Sequence, residues 1–89
     1  MYIGEIVGLV ISTSKDEGLV GKKILIVQPM NAKYEPIGNT EVAVDCVGAG
    51  AGEYVLVTTG SSARNIFNNS KSPIDRAIVA IIDNIEVES

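Results

Sequence analysis

From Tyr2 to Ser12, YIGEIVGLVIS, apolar and polar positions alternate loosely. One face carries Ile3, Glu5, Val7, Leu9 and Ile11; the other carries Tyr2, Gly4, Ile6, Gly8 and Val10. A period of two predicts a long first strand, and Gly4 and Gly8 mark a bend or bulge that curves a sheet toward a barrel. TSKDEGLVG, from Thr13 to Gly21, is polar and turn-like. KILIVQ predicts a second strand from Lys23 to Gln28, stopped by Pro29. MNAKYEPIGNT, from Met30 to Thr40, reads as an irregular excursion with a turn near Pro36 to Asn39. EVAVDCV (Glu41 to Val47) and YVLVTT (Tyr54 to Thr59) predict the third and fourth strands. AIVAIID (Ala77 to Asp83) predicts the fifth, which the following NIEVES can extend. A brief helix is expected over Ala63 to Phe67, capped by Ser61 or Ser62 and ending at Asn68-Asn69-Ser70. Lys71-Ser72-Pro73 then connects to the fifth strand.

Five short strands and one short helix predict a mainly β fold: a small five-stranded OB-like β-barrel, with an open sandwich as the other arrangement. With 89 residues, the chain is long enough for one small domain covering 1–89. ILIV and AIVAII are apolar on both faces, whereas a small barrel buries only its inner face. Those outer faces need a cover, either a subunit interface or the chain's own helix and long excursion.

Composition narrows the function classes. Hydrophobic residues make up 46% of the chain but aromatics only 4%, so small aliphatic side chains dominate. Mean hydropathy is +0.28. No apolar run approaches the ~20 residues that cross a bilayer, and Glu5 and two glycines interrupt the N-terminal apolar segment, so neither a membrane span nor a signal peptide is expected. The net charge of -4 and the lack of a basic cluster disfavour nucleic acid. Histidine is absent and Cys46 is the only cysteine. That removes the usual general base at neutral pH, the Ser–His and Cys–His nucleophile pairs, a disulfide and a zinc site. No cofactor and no catalytic activity are expected. Cys46, inside a strand, is expected to be a small buried apolar residue.

The remaining candidate chemistry lies in VGAGAGEYVLVTTGSSAR, from Val47 to Arg64. Gly48, Gly50 and Gly52 follow an apolar run, as in a dinucleotide-binding loop. Such a loop needs a helix behind it, whose N-terminus holds the pyrophosphate. Here a strand follows, the third glycine comes two residues after the second rather than three, and no Gly-Lys-Ser/Thr of a P-loop appears. The glycines are therefore read as backbone devices, permitting positive φ or close approach of another backbone.

Four ordered blocks now point to a known family. They are IVGLVISTSK, with Gly8, Val10, Thr13 and Lys15; GLVGKKILIVQP, with Gly18, Leu19, Gly21 and Lys23; VAVDCVGAGAGEYVLVTTGSSAR; and SPIDRAIVAIID. The third matches a D-x-V-G-A-G-x-G-E and G-S-S-A-R signature. Across nearly its whole length the chain resembles the EutN/CcmL family, the vertex proteins of bacterial microcompartment shells. The excursion from Met30 to Thr40 is its least motif-like part. The resemblance implies a five-stranded barrel that assembles as a homopentamer where shell facets meet. It also implies hexameric and trimeric shell proteins as partners, a place in the shell within the bacterial cytoplasm, and a structural role without catalysis. An OB-type module binding a ligand or oligonucleotide is the alternative, against which the acidic charge and the four aromatic residues weigh.

The resemblance puts the loop with Gly48, Gly50, Gly52 and Glu53, and the segment with Gly60, Ser61, Ser62 and Arg64, in the regions that build the ring or line a central opening. Arg64 is then expected to make an inter-subunit contact through its planar fork, with Asp45 and Glu53 as candidate acceptors, or else to be a solvated helix residue. Ser61 and Ser62 either cap the helix or face the axis. Asp75 reads as a turn or cap residue, and Tyr34 either meets a neighbouring shell tile or packs on its own domain.

Overall fold

In a computed structural model the described residues are 1–13, 15–66 and 74–88. Five strands form a closed barrel: β1 (Tyr2–Val10), β2 (Ile24–Met30), β3 (Glu41–Asp45), β4 (Tyr54–Thr59) and β5 (Arg76–Ile82), in the order β1-β2-β3-β5-β4. All the pairings are antiparallel except β3 with β5, which run parallel through Val44↔Ala77 and Asp45↔Ile78. One 3₁₀ turn (Glu17–Leu19), with Asp16 accepting from the Gly18 N–H, lies between β1 and β2, and helix α1 (Gly60–Ile66) follows β4 directly. The expected mainly β barrel with one short helix is therefore the fold.

The glycines of β1 do what the pattern predicts. The β1–β2 register skips Val7 between Ile6 and Gly8, so a bulge bends β1 and lets it pair with β4 at its start and β2 along its length. Gly4 is buried with its missing side chain aimed at Val27. The barrel interior is filled by Ile6, Leu25, Val27, Ala43, Ala49, Val55, Val57 and Ile78. A second cluster, Val44, Ala63, Ile74 and Ala77 with Leu19, Ile24 and Val79 against it, packs α1 onto the barrel's outer wall. The helix thus covers part of the outer apolar face. Val7, Leu9 and Val42 stay about half exposed, at 50%, 54% and 51%.

Several boundaries differ from expectation; β1 ends at Val10 rather than Ser12, and β3 at Asp45 rather than Val47. Pro29 does not stop β2: it pairs with Gly4, and the strand runs on to Met30. The β3 partner has already ended at Val27↔Glu41, so the N–H that proline lacks is not needed on that side. The helix begins at Gly60, three residues ahead of Ala63, because Gly60 adopts φ +65° and donates its N–H to the Asp75 carbonyl. Expected as a turn or cap residue, Asp75 lies instead just ahead of β5, where its carbonyl prolongs the β4–β5 pairing and its carboxylate meets Arg76. The tail does not extend β5, which ends at Ile82. The expected helix end at Phe67 to Ser70 and the Lys71–Pro73 connector lie outside the described residues.

Candidate functional site

The glycine loop is a lid pinned over one end of the barrel. Its Ala49 is fully buried among the core side chains. Gly48 and Gly52 adopt φ +79° and +84°, and a Cβ at either would meet nothing within 4 Å. Backbone conformation, rather than close approach within the chain, is what demands glycine there. Gly52 donates to the Ile6 carbonyl at 2.9 Å and Ile6 returns a bond to the Glu53 carbonyl at 2.9 Å, stitching the loop to β1 at its bulge.

Two carboxylates hold the loop, Asp45 from inside and Glu53 from the exposed side. The Asp45 side chain, 3% exposed, accepts the N–H of Val47 at 3.1 Å on one oxygen and that of Ala49 at 2.9 Å on the other. Lys23 adds its ammonium, 4.0 Å from the Asp45 carboxylate and hydrogen-bonded to the Ala49 carbonyl. Glu53 accepts the Gly50 N–H at 2.6 Å. Hydrogen bonds to an ionised acceptor are stronger than neutral ones. This network replaces the ladder that a strand would have supplied.

At the other end of the barrel a charge cluster escaped sequence reading. Arg76 on β5 meets Glu41 on β3 at 2.9 Å and Asp75 at 3.1 Å. Burial pulls the Arg76 guanidinium down, but the Glu41 and Asp75 carboxylates outweigh it and hold it above its ordinary value. The Tyr2 hydroxyl is buried close by, without a hydrogen-bond partner among the described residues; burial, aided by Glu41, drives its pKa far above the usual phenol range. Arg76, Glu41 and Asp75 border a groove of about 430 Å³ on the outer wall. Nothing in the one-dimensional pattern places Glu41 beside Arg76, because the contact arises from the parallel β3–β5 seam.

The excursion is equally well built. Asn31 accepts from the N–H groups of Lys33 and Glu35 and donates to the Glu35 carboxylate, and Gln28 donates to the carbonyls of Pro29, Ile37 and Gly38. Tyr34, at φ 63°, stacks edge-on against Tyr54 with ring centroids 4.6 Å apart. It thus packs on its own chain, one of its two expected fates, and stays 38% exposed.

These features can be set beside known proteins. Residues 1–83 match the family described as ethanolamine utilisation protein EutN/carboxysome. The chain belongs to the EutN/CcmL family. It is 50% identical over 86 residues, covering 97% of each chain, to the bacterial microcompartment shell vertex protein GrpN of Rhodospirillum rubrum. To PduN of Salmonella typhimurium, also a shell vertex protein, it is 45% identical over 89 residues, covering 96% of this chain and 98% of that one. The solved pentameric microcompartment shell protein GrpN superposes with a TM-score of 0.90 at 50% identity, covering 99% of this chain and all of the other. CcmL of Gloeobacter violaceus superposes with a TM-score of 0.90 at 40% identity, covering 99% and 91% of the two chains.

Within this EutN/CcmL chain the candidate residues fall into two groups that one subunit does not bring together. Gly48, Gly50, Gly52 and Glu53 close the barrel end ahead of β4, and Gly60 and Ser62 lie beyond its far end. Six strand residues separate them by about 20 Å. Ser62 is exposed; the side chains of Ser61 and Arg64 lie outside the described ones. Asp45 is an unsuitable acceptor for an arginine of another subunit, since it is closed to solvent and occupied by two loop N–H groups. Glu53 is exposed. Cys46 corrects another expectation: it is exposed, because β3 ends at Asp45 and the backbone turns outward, with the Cys46 N–H reaching Ile78. Its surroundings and the Asp45 carboxylate raise the thiol pKa, which keeps it a poor nucleophile.

Proposed function

We propose that this chain is a structural shell protein, a cyclic homopentamer that caps the vertices of a bacterial microcompartment and closes the shell around its enzymes in the bacterial cytoplasm. The single observation that carries the reading is the end-to-end match, at 50% identity and a TM-score of 0.90, to a solved pentameric microcompartment shell protein. The physical picture agrees with it. Val7, Leu9 and Val42 leave apolar surface on the outer wall for neighbouring chains to cover. Each is already about half buried, so covering the rest contributes on the order of 1 kcal/mol apiece.

The role is architectural: the chain supplies shape and contact surfaces rather than a catalytic step. The glycine loop and the start of α1, with Gly48, Gly50, Gly52, Glu53, Gly60, Ser61, Ser62 and Arg64, form its ring-building regions. Hexameric and trimeric shell proteins of the same compartment meet its rim. Co-expression with those shell proteins tests the capping role. Electron microscopy should show closed polyhedral shells when this chain is present and open or elongated assemblies when it is left out. Shells that close equally well without it would contradict the proposal.

A further inference from the structure

Strand β1 is paired on both sides only over its first half. With β4 it pairs from Tyr2↔Val57 to Glu5↔Tyr54, and with β2 it pairs on to Val10↔Ile24. Ile6 makes the last bonds on the β4 side, donating to the Glu53 carbonyl and accepting from the Gly52 N–H. From Val7 to Val10 that side meets no strand among the described residues, and β1 bonds only to β2. Val7, Leu9 and Ile11 are 50%, 54% and 84% exposed. No residue from Val7 to Ile11 is charged or proline, so the residues that usually blunt an open strand edge are missing. The bulge at Val7 is its one irregularity, and Gly8, Leu9 and Val10 then resume regular register with β2.

Beside this edge lies a hollow of about 280 Å³, walled by Ile6, Leu9 and Leu25 of the barrel and by Gly50 and Ala51 of the glycine loop. Small-molecule sites run from about 300 to 1,000 Å³, so a side chain entering from outside suits its size better than a free ligand. Its one charged wall residue is Lys23, already bonded to the Ala49 carbonyl and 4.0 Å from the Asp45 carboxylate. An open edge for backbone bonds next to a pocket for a side chain is how a sheet takes up an added strand.

The ring proposed above makes a second copy the occupant, and charge favours this place for it. Each chain carries a net charge of -4, so copies repel unless they meet where charge is sparse. The outer-wall groove is bordered by Glu41, Asp75, Arg76 and Lys15, whereas the edge is uncharged and the hollow's one cation is matched. A ring contact is head-to-tail, with one surface received and a different one donated, and an open edge beside a hollow is one-sided in that way. We infer that each chain receives the next copy along the open edge of β1, which pairs with an extended segment of that copy while an aliphatic side chain fills the hollow against Leu9 and Leu25. The inference rests on the ring reading and names its receiving surface.

Two variants of the full chain, Leu9→Glu and Ile11→Glu, place a carboxylate at this edge, and native mass spectrometry across a dilution series reads the result. Each should need about tenfold more protein than wild type to assemble five chains, with an unchanged circular dichroism spectrum. Ile11 is 84% exposed and lies outside the core, so its variant decides the matter should Leu9→Glu fail to fold. Hydrogen exchange gives the second readout: amides from Val7 to Val10 should be more protected in assembled wild type than in dissociated Ile11→Glu. Assembly of Ile11→Glu at wild-type concentrations, or equal exchange from Val7 to Val10, would overturn the contact and leave the ring standing. A wild-type protein that stays monomeric would overturn both.

Discussion

Gly4→Ala is expected to destabilise the protein by about 1–3 kcal/mol or more, the range for overpacking a well-filled core. A Cβ at this position would overlap the Val27 Cγ1 methyl and lie 3.2 Å from the Gln28 carbonyl oxygen. Val27 is fully buried and cannot move aside without disturbing the barrel interior. Gln28 is held by the β1–β2 ladder, in which Gly4 faces Pro29. Both neighbours are therefore rigid, and β1 itself must shift. The strand's two partners would feel that shift together, since β1 pairs with β2 and with β4 through the same residues. Urea unfolding of wild type and variant at equal protein concentration measures the effect; equal concentration matters because subunit association adds to apparent stability. An unchanged midpoint would mean that the barrel wall is softer than its packing implies.

The second large effect is expected at Asp45. Removing its carboxylate by Asp45→Ala leaves the N–H groups of Val47 and Ala49 without their acceptor, and Lys23 without its nearest anion. The Val47 N–H can turn to water, but leaving the buried Ala49 donor unsatisfied costs about 1–3 kcal/mol. A domain of this size loses roughly 4–8 °C of melting temperature per kcal/mol. Asp45→Asn should lose less, because the amide keeps one acceptor oxygen in the same place. Hydrogen exchange separates a local from a global failure. The Val47 and Ala49 amides should lose protection first in Asp45→Ala, while the β2 amides keep theirs. Equal loss everywhere would show that the loop is not an independently anchored lid.

How much of this was legible in the sequence follows from the range of the interactions involved. Strand existence came from local alternation, and β4 falls on Tyr54–Thr59 as predicted because Tyr-Val-Leu-Val-Thr-Thr is β-prone with glycines on both sides. The β1 bulge was legible because Gly4 and Gly8 interrupt an otherwise continuous strand pattern. Pro29 misled because a proline's effect depends on which side of the strand lacks a partner, and that is a property of the sheet. Cys46 misled for a related reason: the third strand stops two residues earlier than its apolar pattern, so the side chain turns outward. At the candidate site, the glycines' positive φ was readable, but the use of Asp45 and Glu53 to tie down their own loop was not. Sequence reasoning offered Asp45 to Arg64 because it had no means of seeing that nearby backbone N–H groups claim both its oxygens. Arg76 went unremarked because its main partner, Glu41, is 35 positions away and meets it only once the barrel closes.

The central claim, that this chain builds a five-membered ring, is tested most directly by native mass spectrometry of the purified protein across a dilution series. A dominant species of five chains that persists on dilution is the predicted result. A stable monomer, or a ring of another number, would contradict it.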